Sequence, residues 1–200
     1  MLGQATEKPH SRLPADIAAA RPLVQIDYGF TKAAGVTAAD VDEDFATTLV
    51  GCDRDTGSIL AFVTGGKQVT EYVVDRRVRF LDRIHPRKAV TVRSDTEHAP
   101  QAIIDAIVLQ READVIPQSG KLKDSANMGQ VEATIRWWRG KLKTLRYDVE
   151  MRYARKVAPN HVLWPFLVEA SAFLTNAYRV RLDGHTSNFT ATGSVYRGEI

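Results

Sequence analysis

Three carboxylate residues stand where packing gives no reason for a charge: Asp27, Asp95 and Glu132. Asp27 lies in the middle of an alternating run, 23–30, with Val24, Ile26, Tyr28 and Phe30 on one side and Gln25, Asp27 and Gly29 on the other. That is the period of a strand. Asp95 follows a short β-rich run, 89–92, and Glu132 sits near the start of a long helix that begins at about Gly129. Taken singly, each reads as a solvated or salt-bridged residue. Brought together they would repel one another unless a cation sat between them, and hard Mg2+ or Mn2+ takes such oxygen ligands. Two such ions about 3.5–4 Å apart clamp the attacking and leaving oxygens of an in-line phosphoryl transfer.

Convergence of the three requires a particular arrangement. In a sheet whose fourth strand lies parallel beside its first, the middle of strand one neighbours the end of strand four, and a covering helix presents a third carboxylate to both. The remaining elements fit this order. A Gly/Ala/Asp-rich loop at 31–44 precedes two β-rich runs, 47–52 and 59–63, whose connection Asp-Arg-Asp-Thr-Gly-Ser predicts a hairpin. Val69, Tyr72, Val73, Arg76, Phe80 and Ile84 follow helical spacing up to a stop at His85-Pro86. After the fourth strand come a helix at 102–112 and a brief strand at Val115-Ile116 that Pro117 ends, then a loop at 118–128, the long helix, and a final amphipathic helix at 162–180. The expected fold is α/β: a mixed five-stranded sheet, three antiparallel strands and then parallel ones, flanked by helices. Residues 1–20 read as a tail or linker, 21–182 as the core domain and 183–200 as a second tail.

Composition narrows the classes further. With 44% hydrophobic and 26% charged residues in 200, the chain has the material for one core and is too apolar to be disordered. Its longest mostly apolar stretch, 161–174, contains Pro165 and Glu169 and falls short of the about 20 apolar residues of a membrane span. The first twenty residues hold no apolar run of secretory-signal type. Cys52 is the single cysteine, which excludes a disulfide framework and a zinc site of paired cysteines and suits an intracellular, reducing compartment. His85, His98, His161 and His185 lack metal-ligand spacing, no phosphate-cradling glycine motif occurs, and Ser94 has no histidine placed to activate it.

Charge is unevenly spread. Net charge is 27 − 24 = +3, yet residues 121–160 hold ten basic and four acidic side chains, so that this segment carries +6 and the rest −3, with an acidic cluster at Asp40, Asp42, Glu43 and Asp44. Such a segment suits a polyanion-binding face or a merely solvated basic helix. Glu132, Arg136, Arg139 and Lys143, at offsets 0, 4, 7 and 11, fall within about 60° of one another around a helix. Trp137 and Trp138 are expected to cover a core or a contact, not to stack on bases.

Val24-Gln25-Ile26-Asp27-Tyr28, Thr91-Val92-Arg93-Ser94-Asp95 and Asn127-Met128-Gly129-Gln130-Val131-Glu132 resemble the three acidic blocks of retroviral and retrotransposon integrase catalytic cores. Asp95 and Glu132 enclose 132 − 95 − 1 = 36 residues, close to the family's customary interval. A further block, Trp164-x4-Glu169-Ala170-x2-Phe173-Leu174-x-Asn176, is similar to a helix of long-terminal-repeat retrotransposon integrases. The resemblance implies an RNase H-like fold and a polynucleotidyl transferase with Asp27, Asp95 and Glu132 as catalytic ligands of Mg2+ or Mn2+, two ions in all. It also implies DNA as partner, contacted by Lys121, Lys123, Arg136, Arg139 and Lys143, a homo-oligomer, no membrane, and work in the nucleus.

Departures from the pattern are the 67 residues between Asp27 and Asp95, the absence of paired His and Cys upstream, and Thr186-Ser187-Asn188-Phe189 where Thr-Pro-aromatic is customary. They lead us to expect a piece of a longer polyprotein or a decayed copy. The alternatives are a nuclease or transposase of the same fold, and an inactive remnant that only binds nucleic acid.

Overall fold

The computed structural model describes residues 21–32, 45–95, 97–119 and 129–198. The alternating run forms β1 (Leu23–Lys32), followed by β2 (Phe45–Asp53) and β3 (Ile59–Thr64), and the sheet is completed by β4 (Val90–Ser94) and β5 (Val115–Ser119). Strand order is β3-β2-β1-β4-β5, with β1–β2 and β2–β3 antiparallel and β1–β4 and β4–β5 parallel. The hairpin between β2 and β3 forms as its composition predicts, and Asp53 makes it rigid: its Oδ2 accepts from the Thr56 N–H and hydroxyl, each at 2.7 Å, while its Oδ1 meets His85 Nε2 at 2.9 Å.

Five helices flank the sheet: α1 (Glu71–Ile84), α2 (His98–Gln110), α3 (Gly129–Tyr153), α4 (Trp164–Tyr178) and α5 (Ser187–Thr192). Period-2 alternation in β1 divides the core. Val24, Ile26 and Tyr28 pack with Leu49 and Phe62 under α1 and α2, against Val73, Phe80, Leu81, Ile103, Ile104 and Ile107. On the opposite face Val50, Cys52 and Ala61 meet the α3 stripe Val131, Ile135, Trp138 and Leu142, together with Trp164, Leu167 and Val168 of α4. That stripe recurs at helical spacing, and the Gln25-Asp27-Gly29 side of β1 therefore faces α3.

Several boundaries differ from the sequence reading. Pro117 does not end β5; it pairs with Val92 inside it. A proline lacks an N–H to give, which an edge strand tolerates. Gln118 and Ser119 consequently belong to β5, and 120–128 lies outside the described residues. Helix α2 starts four residues earlier than expected, and α4 is shorter at both ends. The acidic cluster at 40–44 also lies outside the described residues. Residues 183–198 contain α5, which has Thr186 as N-cap and Gly193 at φ 71° as its left-handed cap, and which packs on α4 and α1. Among the described residues no helix is long and apolar enough to cross a membrane.

Candidate active site

The site is built on β1. Asp27 is half-buried, and its Oδ1 accepts the Tyr28 N–H at 2.7 Å. Burial pushes its carboxyl above the usual carboxylate range. The Tyr28 hydrogen bond opposes that shift, and the negative charges of Asp95, Glu97 and Glu132 add to it. Both other sequence-predicted carboxylates thus lie within electrostatic reach of Asp27.

Sheet register accounts for Asp95. The parallel pairs Leu23–Thr91, Val24–Val92 and Gln25–Arg93, continued by two residues, lead to Asp27 and Asp95. Val24 and Val92 share one core cluster, so the odd-numbered positions of both strands share the α3 face. Asp95 leaves β4 directly after the fully buried Ser94. Gln101 of α2 steadies that exit: its Nε2 donates to Ser94 Oγ at 2.8 Å and to the Asp95 carbonyl at 3.1 Å.

Glu132 is exposed in the first turn of α3. The preceding residue, Val131, donates its N–H to Gln25 Oε1 at 3.0 Å. Gln25 is buried two residues before Asp27, so one side chain ties the start of α3 to the strand that carries the first carboxylate. Gln25, Gln101 and Glu97 were not identified from sequence. Gln25 and Glu97 meet residues far apart in the chain, and Gln101 reaches back six and seven residues across the β4–α2 junction, contacts that no local periodicity signals, although the alternation did put Gln25 on the face of Asp27. Glu97 is also held by Lys67, whose Nζ lies 2.6 Å from Oε2.

Asp27, Asp95 and Glu132 offer only carboxylate oxygens, the donor set of a hard divalent cation, and a cation there would offset the repulsion that adds to the effect of burial at Asp27. Among the described residues, no group of three or more His, Cys, Asp or Glu is gathered tightly enough to ligate one ion as the side chains stand. Asp95 and Glu132 are both exposed.

Arg136, Arg139 and Lys143 are exposed along α3. Arg139 reaches back toward the site, since a Cβ built on Gly29 would lie 3.7 Å from its Nη2. Lys121 and Lys123 lie outside the described residues. The basic row ends where Glu150 turns inward: it accepts from Val157 N–H at 2.9 Å, Arg146 Nε at 2.8 Å and Lys156 Nζ at 3.2 Å, bonds that hold its carboxyl down at about 2. Trp138 is fully buried, and Trp137 lies under the Arg179 guanidinium at 4.3 Å from its ring centre.

The block that begins at Trp164 has a structural meaning. Trp164 is buried in the α3–α4 core, Glu169 pairs with Arg76 at 2.8 Å, and Asn176 clamps edge strand β3 by accepting from the Ile59 N–H at 2.8 Å and donating to the Ile59 carbonyl at 2.7 Å.

A mixed sheet in the order 3-2-1-4-5 with helices on both faces is the RNase H-like arrangement. No family model matches the sequence, and no curated protein matches it. Solved structures do. A chain of the simian T-cell lymphotropic virus intasome in complex with PP2A regulatory subunit B56 gamma is 15% identical with a TM-score of 0.60, over 88% of this chain and 58% of that one. The catalytic core domain of BIV integrase is 15% identical with a TM-score of 0.54, over 86% of this chain and 93% of that one. The HTLV-2 integrase catalytic core domain in complex with magnesium, in a trimeric form, is 13% identical with a TM-score of 0.54, over 84% and 95%. The chain has the RNase H-like fold of integrase catalytic cores, and it spans little more than half of the matched intasome chain.

Proposed function

We propose that this protein is an integrase-like polynucleotidyl transferase of the retrotransposon type, processing and joining DNA ends with two Mg2+ or Mn2+ ions held by Asp27, Asp95 and Glu132. The observation that carries this reading is the half-buried Asp27 carboxyl, raised by burial and by the charges of Asp95, Glu97 and Glu132. The shared fold supports it, and one structure of that fold was solved in complex with magnesium. Cations bound there supply stabilisation of the attacking and leaving oxygens of a phosphodiester exchange.

The chain's own residues do the rest. Asp27 is the fixed ligand, held in the strand by the Tyr28 N–H. Asp95 and Glu132 close on it from β4 and α3. Arg136, Arg139 and Lys143 run away from Glu132 along one helix face, so a phosphate backbone lying on them is led to the carboxylates. Joining two DNA ends suits a homo-oligomer, and DNA integration puts the place of work in the nucleus.

The test is a Mg2+-dependent reaction on end-labelled duplex DNA. The reading predicts joined strands with the wild type and none with Asp27→Asn. Cut strands without joining would favour a nuclease of the same fold. DNA binding without Mg2+-dependent turnover would mark an inactive remnant.

A further inference from the structure

We propose that Gln25 is a positioning residue that sets the spacing between Asp27 and Glu132, an inference that rests on the reading of these carboxylates as cation ligands. The first four N–H groups of a helix have no partner within it, and a side chain just upstream in sequence normally satisfies them. In α3 one of them, that of Val131, is satisfied from 106 positions earlier, by Gln25 Oε1 at 3.0 Å. Both residues are buried, Gln25 at 3% exposure and Val131 at 0%, so this bond is shielded from competing water. Asp27 is two residues after Gln25 on the same side of β1, and Glu132 directly follows Val131. The bond therefore ties the position two residues before Asp27 to the position one residue before Glu132.

Side-chain chemistry at this position is constrained. An amide oxygen accepts the N–H and adds no charge. A lysine or arginine would neutralise Asp27 and compete with a cation, whereas an aliphatic side chain would leave the Val131 N–H buried without a partner. Groups of this kind, one step behind the ligands, typically tune metal affinity by 10–100-fold.

The experiment uses the full chain and Mn2+, with free Mn2+ read by electron paramagnetic resonance and the Val131 amide followed by hydrogen exchange. Gln25→Leu is expected to bind Mn2+ about tenfold more weakly, to exchange Val131 faster, and to lower the rate of DNA joining more than it raises the KM for DNA. Gln25→Glu keeps the acceptor oxygen and is expected to keep Val131 protected, which sets a positioning effect apart from general loss of fold. Unchanged Mn2+ affinity in Gln25→Leu, with a wild type that binds, would overturn the positioning role and leave the proposed function standing. A wild type that binds no Mn2+ while Val131 stays protected would overturn the proposed function, and the positioning role with it.

Discussion

Asp27 and Asp95 each stand two residues beyond Gln25–Arg93, the last parallel pair of β1 and β4. Sixty-seven residues of sequence separate them, yet the parallel pairing of β1 with β4 brings the Asp95 charge to bear on Asp27. The electrostatic consequence is visible at Asp27, where Asp95 is the foremost of the charges that push the carboxyl upward.

A raised carboxyl makes the folded state hold its proton more readily than the unfolded chain does. The resulting penalty is fully present above the folded pKa and vanishes as pH falls toward the ordinary value of 3.8. Asp27→Asn should therefore melt at a higher temperature than wild type at pH 7 without divalent cations, and the gain should shrink on acidification through that window. Melting curves of both proteins against pH check this; a variant less stable than wild type at pH 7 would contradict it.

Glu132→Gln keeps the side chain's shape and removes the charge. Mg2+-dependent cutting and joining should drop to the uncatalysed background, while the melting temperature stays level or rises because repulsion at Asp27 is relieved. Wild-type strand-transfer activity in well-folded variant protein would take Glu132 out of the site.

For the basic face of α3 the diagnostic is salt. Replacing Arg136, Arg139 and Lys143 by alanine removes up to three phosphate contacts, each worth about 0.9 in the log–log slope of binding against salt, so the slope should flatten by roughly 2–3 units. Alanine is a good helix former, so the fold should hold. The comparison variant replaces Arg79, Arg87 and Lys88, which are exposed elsewhere. Equal slopes in the two triple variants would mean that α3 is only a solvated helix.

Arg77 of α1 has no hydrogen-bond partner at any of its three guanidinium nitrogens among the described residues, and burial lowers its pKa to about 9. The Phe62 ring, 5.8 Å from its guanidinium carbon, offsets only part of the desolvation. The sign follows from a base whose folded pKa is depressed: the penalty is complete below about 9 and eases as pH rises above it. Arg77→Met should accordingly gain about 1–4 kcal/mol at pH 7 in urea unfolding, and less at pH 10. A loss of stability would show that the guanidinium is held by more than the ring.

Legibility in the sequence followed the range of the interactions. Strand β1, the β2–β3 hairpin and α3 are local patterns of alternation, turn chemistry and helical spacing, and each was readable within a few residues. Asp27 and Asp95 stood out because a carboxylate mid-strand or just past a strand breaks such a pattern, and Glu132 through the resemblance of its block to those of integrase cores. Pro117 misled because its edge position is a property of the finished sheet, and α5 was passed over because six residues carry too little periodicity. Gln25 acts by bonding a backbone group of a distant helix, Gln101 by bonding the end of the preceding strand, and the burial of Arg77 depends on the space left by Gly51, where a Cβ would overlap its guanidinium. These contacts exist only once the sheet has assembled.

The central claim, that Asp27, Asp95 and Glu132 jointly hold divalent cations, is tested most directly by crystals of the full chain grown with Mn2+ and read by anomalous scattering. The account predicts a peak within about 2.5 Å of carboxylate oxygens from both Asp27 and Asp95, with Glu132 turned toward the same point. Mn2+ bound elsewhere on the chain, with the Asp27 and Asp95 carboxylates free of it, would contradict the account.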